Sequence, residues 1–238
     1  SWTFSDGTTS TARDPRHVFP DDGPYTATLT VADPYGLQST ATTLNVNVLN
    51  VAPTARITAA AGTGGDQVTV SLAADEPSPA DQAAGLTYQV NWGDGVVQTV
   101  PAAPGNGAGV ILGHTYQTAG IYQIQVSAAD QDGAVGPTAS SAGIVAGSPG
   151  NDAITLTGTD PGFAVSLNGQ PAGTVDYTQV EFPNPSFNRI LPFLVLGGAG
   201  DDTLDGGVGP SSGDDVLSGW GGNDTLLGWD GGDELNGG

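Results

Sequence analysis

The chain has 238 residues, a formal net charge of −21, four arginines and no lysine. Such a surface repels nucleic acid and anionic membranes and attracts divalent cations. There is no cysteine, which excludes disulfides and a thiol nucleophile, and no run of eighteen apolar residues that would cross a membrane as a helix. The length admits two or three small domains. Asp (22) far outnumbers Glu (3), a bias toward turns and cation ligation rather than exposed helix. Neither a signal peptide nor an initiator methionine is visible, and the chain is expected to be a segment of a longer secreted protein.

Residues 1–50 and 51–146 carry one set of marks twice. The first set is Trp2, Phe4, Asp6-Gly7, His17, Phe19, Tyr25 and Asp33; the second is Trp92, Asp94-Gly95, His114, Tyr116, Tyr122 and Asp130. His17, Tyr25 and Asp33 are spaced 8 and 8, as are His114, Tyr122 and Asp130, displaced by 97 residues. This is an internal repeat. Tyr25, Ala27, Leu29 and Val31 alternate with threonines, and Tyr122, Ile124 and Val126 alternate with polar residues, which is the period of half-buried strands. Asp-Gly, Pro and Asn punctuate the runs as turns. Strands of this length around a tryptophan suggest small Ig-like sandwiches, with Trp2 and Trp92 as their core tryptophans.

On these marks the region 1–146 resembles the PKD domain family. Asn50-Val51-Ala52-Pro53 reads as a short, stiff linker between two copies. The second copy has about forty residues ahead of Trp92, whereas the first has one ahead of Trp2. Half a sandwich cannot bury its sheet, so either upstream strands or another chain is expected to complete it.

From 147 to 196, Gly147-Ser148-Pro149-Gly150-Asn151-Asp152 looks like one degenerate copy of a nine-residue unit. Alternating runs follow (Ile154 and Leu156; Phe163, Val165 and Leu167; Val175 and Tyr177; Val180 and Phe182), and then Phe193 to Leu196. This stretch is read as strands that begin and cap what comes next. The units from 197 to 238 are Gly197–Asp205, Gly206–Ser218 with four residues inserted, Gly219–Leu227 and Gly228–Asn236. Asp202, Asp215, Asp224 and Asp233 hold the sixth position, each followed two residues later by Leu204, Leu217, Leu226 or Leu235. Glycines permit the tight turns, the aliphatics stack into a thin core, and oxygen-only donors suit calcium.

This period is similar to the RTX, or haemolysin-type, calcium-binding repeat. The resemblance implies a parallel β-roll whose loops alternate sides, so that Asp202 pairs with Asp224 and Asp215 with Asp233. It further implies calcium ligands at the backbone of Gly197, Ala199, Gly219 and Gly221 and at Asp230 and Asp152. Nine acidic and no basic residues fall in 197–238, so without a cation the stretch is expected to repel itself and stay unfolded. Trp220 and Trp229 replace the second glycine of consecutive units, a departure from the family pattern. They are expected on opposite edges, either folded over a neighbouring turn or contacting a glycan or another subunit. Asn223-Asp224-Thr225 is formally a glycosylation sequon. Asp33 and the turn Asp130–Gly133 offer oxygens for further calcium, ordinary β-turns being the plainer reading.

No nucleophile elbow and no H-E-x-x-H pair is present, and both histidines hold one place in a repeated module, so no catalytic site is expected and the chain is read as a non-enzyme. The fold class expected is all-β: Ig-like (PKD-type) sandwiches followed by a parallel β-roll. The function expected is an extracellular, calcium-dependent structural or adhesion segment of a modular surface protein, self-assembling through strand exchange. Alternatives are the non-catalytic tail of a secreted protease or polysaccharide-degrading enzyme, and a carbohydrate-binding module. Calcium, copies of the chain or neighbouring modules, and glycans are the expected partners; nucleic acid and membrane insertion are not.

Overall fold

The computed structural model describes residues 1–63, 67–159, 162–176, 194–206, 216–229 and 232–238. Among these residues the chain is all-β apart from one short helix and one 3-10 turn. The first module is β1 (Trp2–Phe4), β2 (Thr9–Ser10), β3 (Gly23–Leu29) and β4 (Thr42–Val48), an antiparallel sheet in the order β2-β1-β3-β4. Phe4 pairs with Ala27 and Ala27 with Leu44, so these side chains share one face. Phe4 and Ala27 are buried, whereas Leu44 is 61% exposed; the apolar face is covered only in part.

The second module is a full sandwich. Its strands are β5 (Thr54–Thr63), β6 (Gln67–Asp75), β7 (Thr87–Asn91), β8 (Val97–Val100), β9 (Val110–His114), β10 (Gly120–Ala129) and β11 (Ala139–Ala146). One sheet is β5-β6-β9 and the other contains β11-β10-β7-β8. Between them lie Val68, Val70, Leu72, Leu86, Tyr88, Trp92, Ile124 and Val126, all fully buried; they are alternate positions of β6, β7 and β10, with Leu86 and Trp92 flanking β7 in the same period. A helix α1 (Pro79–Ala84) joins β6 to β7; Ser78 caps it by accepting from the Asp81 N–H at 3.2 Å, and Pro79 sits in its first turn. Ser-Pro is the local signal for that start, but six residues are too few to display an amphipathic period.

The repeated marks form one device in both modules. His114 stacks on Trp92 at 4.7 Å, and its Nε2 lies 2.7 Å from Asp94 Oδ2. Tyr116 donates its hydroxyl to the Trp92 carbonyl at 3.0 Å and stacks on Tyr122 at 3.9 Å. In the first module His17 stacks on Phe4 at 3.9 Å and meets Asp6 Oδ2 at 2.6 Å, while Phe19 stacks on Tyr25 at 4.1 Å. Phe4, not Trp2, therefore holds the place of Trp92: each stands two residues before the aspartate. Trp2 is only half-buried. The Asp-Gly turn sets the register, because its carboxylate must reach both the turn amide and the histidine.

Beyond 146 come β12 (Ala153–Thr159), β13 (Gly162–Leu167), β14 (Gln170–Asp176), β15 (Leu194–Ala199), β16 (Thr203–Asp205), β17 (Val216–Gly221), β18 (Thr225–Leu227) and β19 (Glu234–Asn236). Tyr177, Val180, Phe182 and Phe193 lie outside the described residues. β11 pairs antiparallel with β10 and parallel with β15, and the parallel series continues through β17 to β19. The sandwich sheet thus runs unbroken as β19-β17-β15-β11-β10-β7-β8. A second sheet, β14-β13-β12-β16-β18, contains the parallel set β12, β16 and β18. In the first sheet Val145, Val195, Leu217 and Leu235 are register partners; in the second, Ile154, Leu204 and Leu226 are. Val145, Ile154, Val195, Leu204 and Leu217 form one buried cluster.

Burial opposes ionisation of Asp94, but the Val96 N–H and the His114 ring outweigh it and hold the carboxyl below its usual 3.8. A depressed folded pKa gives stability that is fully present above the unfolded value and lost as pH falls through the folded one. Asp94→Ala is expected to destabilise the sandwich by roughly 1–3 kcal/mol at neutral pH. In thermal unfolding, the gap between parent and variant should close as pH drops below 3.8; a pH-independent gap would contradict this origin.

Candidate metal centre

Three segments stack at one end of the parallel strands: 147–152 between β11 and β12, 197–202 from the last residues of β15 to the start of β16, and 219–224 from the last residues of β17 to the start of β18. Each opens on a glycine and closes on an aspartate five residues later, and a side chain at that glycine would press on the aspartate. Asp202 Oδ2 faces Gly197, Asp224 Oδ2 faces Gly219 and Asp152 Oδ2 faces Gly147. Asp233 faces Gly228 in the same way, in the loop between β18 and β19 at the opposite end. Glycine is required in the first position because the carboxylate folds back over it.

The aspartates of the three-loop stack are linked in series. The Asp152 N–H donates to Asp202 Oδ1 at 2.6 Å, and the Asp202 N–H donates to Asp224 Oδ1 at 3.0 Å. One position earlier, the Asp201 N–H donates to Asn151 Oδ1 at 3.1 Å and the Asn223 N–H donates to Asp201 Oδ1 at 2.8 Å. The Gly200 N–H donates to the Gly221 carbonyl at 2.6 Å. Fourth-position Gly200 and Gly222 have φ of +125° and +132°, and a methyl on Gly222 would overlap the Gly200 carbonyl.

The carboxylates of this stack differ in how their charge is met. Asp152 accepts from the Ser148 N–H at 2.6 Å, the Ser148 hydroxyl at 2.9 Å and Asn168 Nδ2 at 2.8 Å. Protein donors thus satisfy the first copy, Asn168 standing at a positive φ of 53° in the two-residue turn between β13 and β14. Asp224 has no such set: its Oδ2 is buried and has no hydrogen-bond partner. A buried carboxylate oxygen without a donor is costly, and in the neighbouring copy the Asp202 carboxylate and the Gly219 carbonyl converge beside Gly197. That donor set fits a hard cation.

Of the ligands expected from sequence, Asp152, Asp202, Asp224, Gly197, Ala199, Gly219 and Gly221 come together in or beside this stack. Asp233 sits at the other end, and Asp215 and Asp230 lie outside the described residues. The tryptophans part company. Trp220, at φ +73°, is 8% exposed and joins the core cluster of the second module with Val68, Tyr116 and Leu196. It is not available as a glycan platform. Trp229, at φ +64°, is 57% exposed, and its Nε1 donates to Asp205 Oδ1 at 2.7 Å.

Comparison with protein families matches the PKD domain over residues 1–48 and 50–145. Among solved structures the chain is similar to the PKD domain of an M14-like peptidase from Thermoplasmatales archaeon SCGC AB-540-F20, at 21% identity and a TM-score of 0.35, covering 41% of this chain and 97% of that one. It is also similar to the PKD1 domain of Vibrio anguillarum Epp, at 20% identity and a TM-score of 0.28, covering 39% of this chain and 94% of that one. No curated protein matches the chain.

Gly222→Ala is expected to destabilise the stacked loops by at least about 1–3 kcal/mol from backbone strain, read as a lowered midpoint in thermal unfolding. Gly221→Ala is the control, because nothing lies within 4 Å of its added methyl; it should change stability by no more than about 0.5 kcal/mol. Equal effects at both positions would refute the stacking.

Proposed function

The chain belongs to the PKD domain family, and from that premise we propose that it is an extracellular, calcium-dependent structural segment in which PKD sandwiches carry an RTX-type parallel β-roll. PKD domains are typical of extracellular and surface proteins. The observation that carries the calcium reading is the in-register series Asp152, Asp202 and Asp224, ending on a buried carboxylate oxygen without a donor. Asp202 and Asp224, with the backbone carbonyls of Gly197 and Gly219, would hold the ion. Calcium would neutralise carboxylates that otherwise repel, so the roll would fold where calcium is plentiful, outside the cell.

The joint between sandwich and roll supports a mechanical role. Tension along the chain would be borne by hydrogen bonds of one sheet rather than by a flexible linker. The half-covered face of the first module suits packing against a second sheet, as β5-β6-β9 does in the second module. On this proposal another copy supplies those strands, giving the chain an adhesive or fibre-forming joint.

The test is a calcium titration of the chain followed by circular dichroism and size-exclusion chromatography. Strand signal should rise between about 10⁻⁴ and 10⁻³ M calcium, the range of extracellular modules. Asp224→Asn should raise the midpoint several-fold. An unchanged spectrum and melting temperature at millimolar calcium would sink the calcium reading. Strictly monomeric protein at every calcium concentration would remove strand exchange from the proposal.

A further inference from the structure

Each sheet ends in two edge strands, and free amides and carbonyls on an edge recruit other strands unless shortness, charge, proline or a bulge prevents it. Among the described residues most edges are guarded in this way. β2, β18 and β19 have two or three residues. β8 has four, and β9 has five with Gly113 among them. β5 carries Arg56 and a register shift after Ile57. β14 carries Pro171, ends on Asp176 and shifts register against β13. β4 differs from them all. Its seven residues, Thr42–Val48, include no charge, proline or glycine, and its register on β3 is unbroken.

β4 is the counterpart of β11. Gly23 and Tyr25 pair with Val48 and Val46, as Gly120 and Tyr122 pair with Ala146 and Ile144. In the second module β15 covers the outer edge of that strand. In the first module no described strand lies there. The strands ahead of Trp92, β5 and β6, belong to the opposite sheet, so completing the first sandwich in the same manner would leave this edge open.

The direction of the free groups follows from β3. The Thr26 N–H and carbonyl turn toward Ser5, on the β1 side. Antiparallel pairs alternate, so Tyr25, Ala27 and Leu29 bond to Val46, Leu44 and Thr42 of β4. The amides and carbonyls of Thr43, Asn45 and Asn47 therefore point off the sheet, and all three residues are exposed.

Charge selects what can pair there. The chain carries −21, yet residues 34–55 include no charged side chain. Two copies repel through most of their surface, but not along this stretch. Within it Tyr35, Leu37, Leu44, Leu49 and Val51 are between 56% and 93% exposed. Antiparallel pairing sends the two acidic rolls to opposite ends; parallel pairing would set them side by side.

We propose that β4 is a self-complementary edge along which two copies of the chain pair antiparallel, joining their first sheets into one. Asn45, the middle residue, lies at the two-fold axis. Thr43 then meets the partner's Asn47 on one face, and Leu44 meets the partner's Val46 on the other, where the apolar side is only half covered. The contact is isologous and closes as a dimer. It runs along the edge and not over the face, and it needs neither calcium nor exchanged strands, so it stands or falls apart from the function proposed above.

Sedimentation of the full chain over a range of concentrations, at constant millimolar calcium, tests the pairing. The parent should show a monomer–dimer equilibrium that tightens with added salt, which screens the remaining repulsion. Asn45→Pro removes an outward N–H at an edge position that tolerates the ring, and it should weaken the dimer several-fold. Asn45→Lys is the second variant. It lowers the net negative charge, which by itself favours association, yet it sets two like charges opposite each other at the axis; it too should weaken the dimer. The chain has no cysteine, so Asn45→Cys supplies a single thiol. On oxidation it should cross-link several-fold faster than Val97→Cys on the open edge of β8. A parent that stays monomeric, or a dimer that is indifferent to Asn45→Lys and slow to cross-link through residue 45, would overturn the paired edge.

Discussion

The structure depends on β11. Its backbone is hydrogen-bonded on both edges, antiparallel to β10 within the sandwich and parallel to β15 beyond it. A sandwich edge strand ordinarily presents unpaired amides and carbonyls that recruit other chains. Here those groups template a parallel stack instead. Because the side-chain period is two, the register of β11 fixes every later one: Val145 sets the column of Val195, Leu217 and Leu235. A one-residue slip would turn the whole column outward.

Charge is the second constraint, and the chain meets it in stages. The first loop of the stack is satisfied internally, through Ser148 and Asn168. That loop adjoins the sandwich and needs nothing from solvent. Farther along, at Asp224, donors from the protein run out. On the proposed reading the roll therefore starts on a pre-formed, cation-independent turn and extends only as ions arrive. A costly nucleation step is supplied by the neighbouring domain, and propagation is left to calcium.

Trp220 shows how closely the two parts are joined. Its place in the repeat belongs to glycine, and it accepts a left-handed backbone there, which costs a bulky residue on the order of 1–3 kcal/mol. Burial of the indole against Val68, Tyr116 and Leu196 offsets part of that, about 2–3 kcal/mol for a large apolar side chain, while its Nε1 is buried without a hydrogen-bond partner. Trp229 makes the same exception without that burial and leans on Asp205 instead. Identical departures from one local pattern thus serve different ends, decided by what lies opposite.

Much of this could be read in the sequence, because it is written in periods. Alternation placed the strands, the Asp-Gly, His and aromatic marks placed the module cores, and the nine-residue unit placed the aspartates and leucines in phase. Local spacing is enough wherever a residue's partners are its own neighbours or its copies. It misled at Trp2, where a tryptophan outweighed the Asp-Gly register that puts Phe4 beneath His17. The shared strand β11 was illegible, since a strand's sequence records which face is buried and not which strands lie along its edges. Periodicity, composition and charge are properties of the chain alone; the joint, the fate of each tryptophan and the continuity of the sheet are set by contacts between distant segments, which tertiary packing decides.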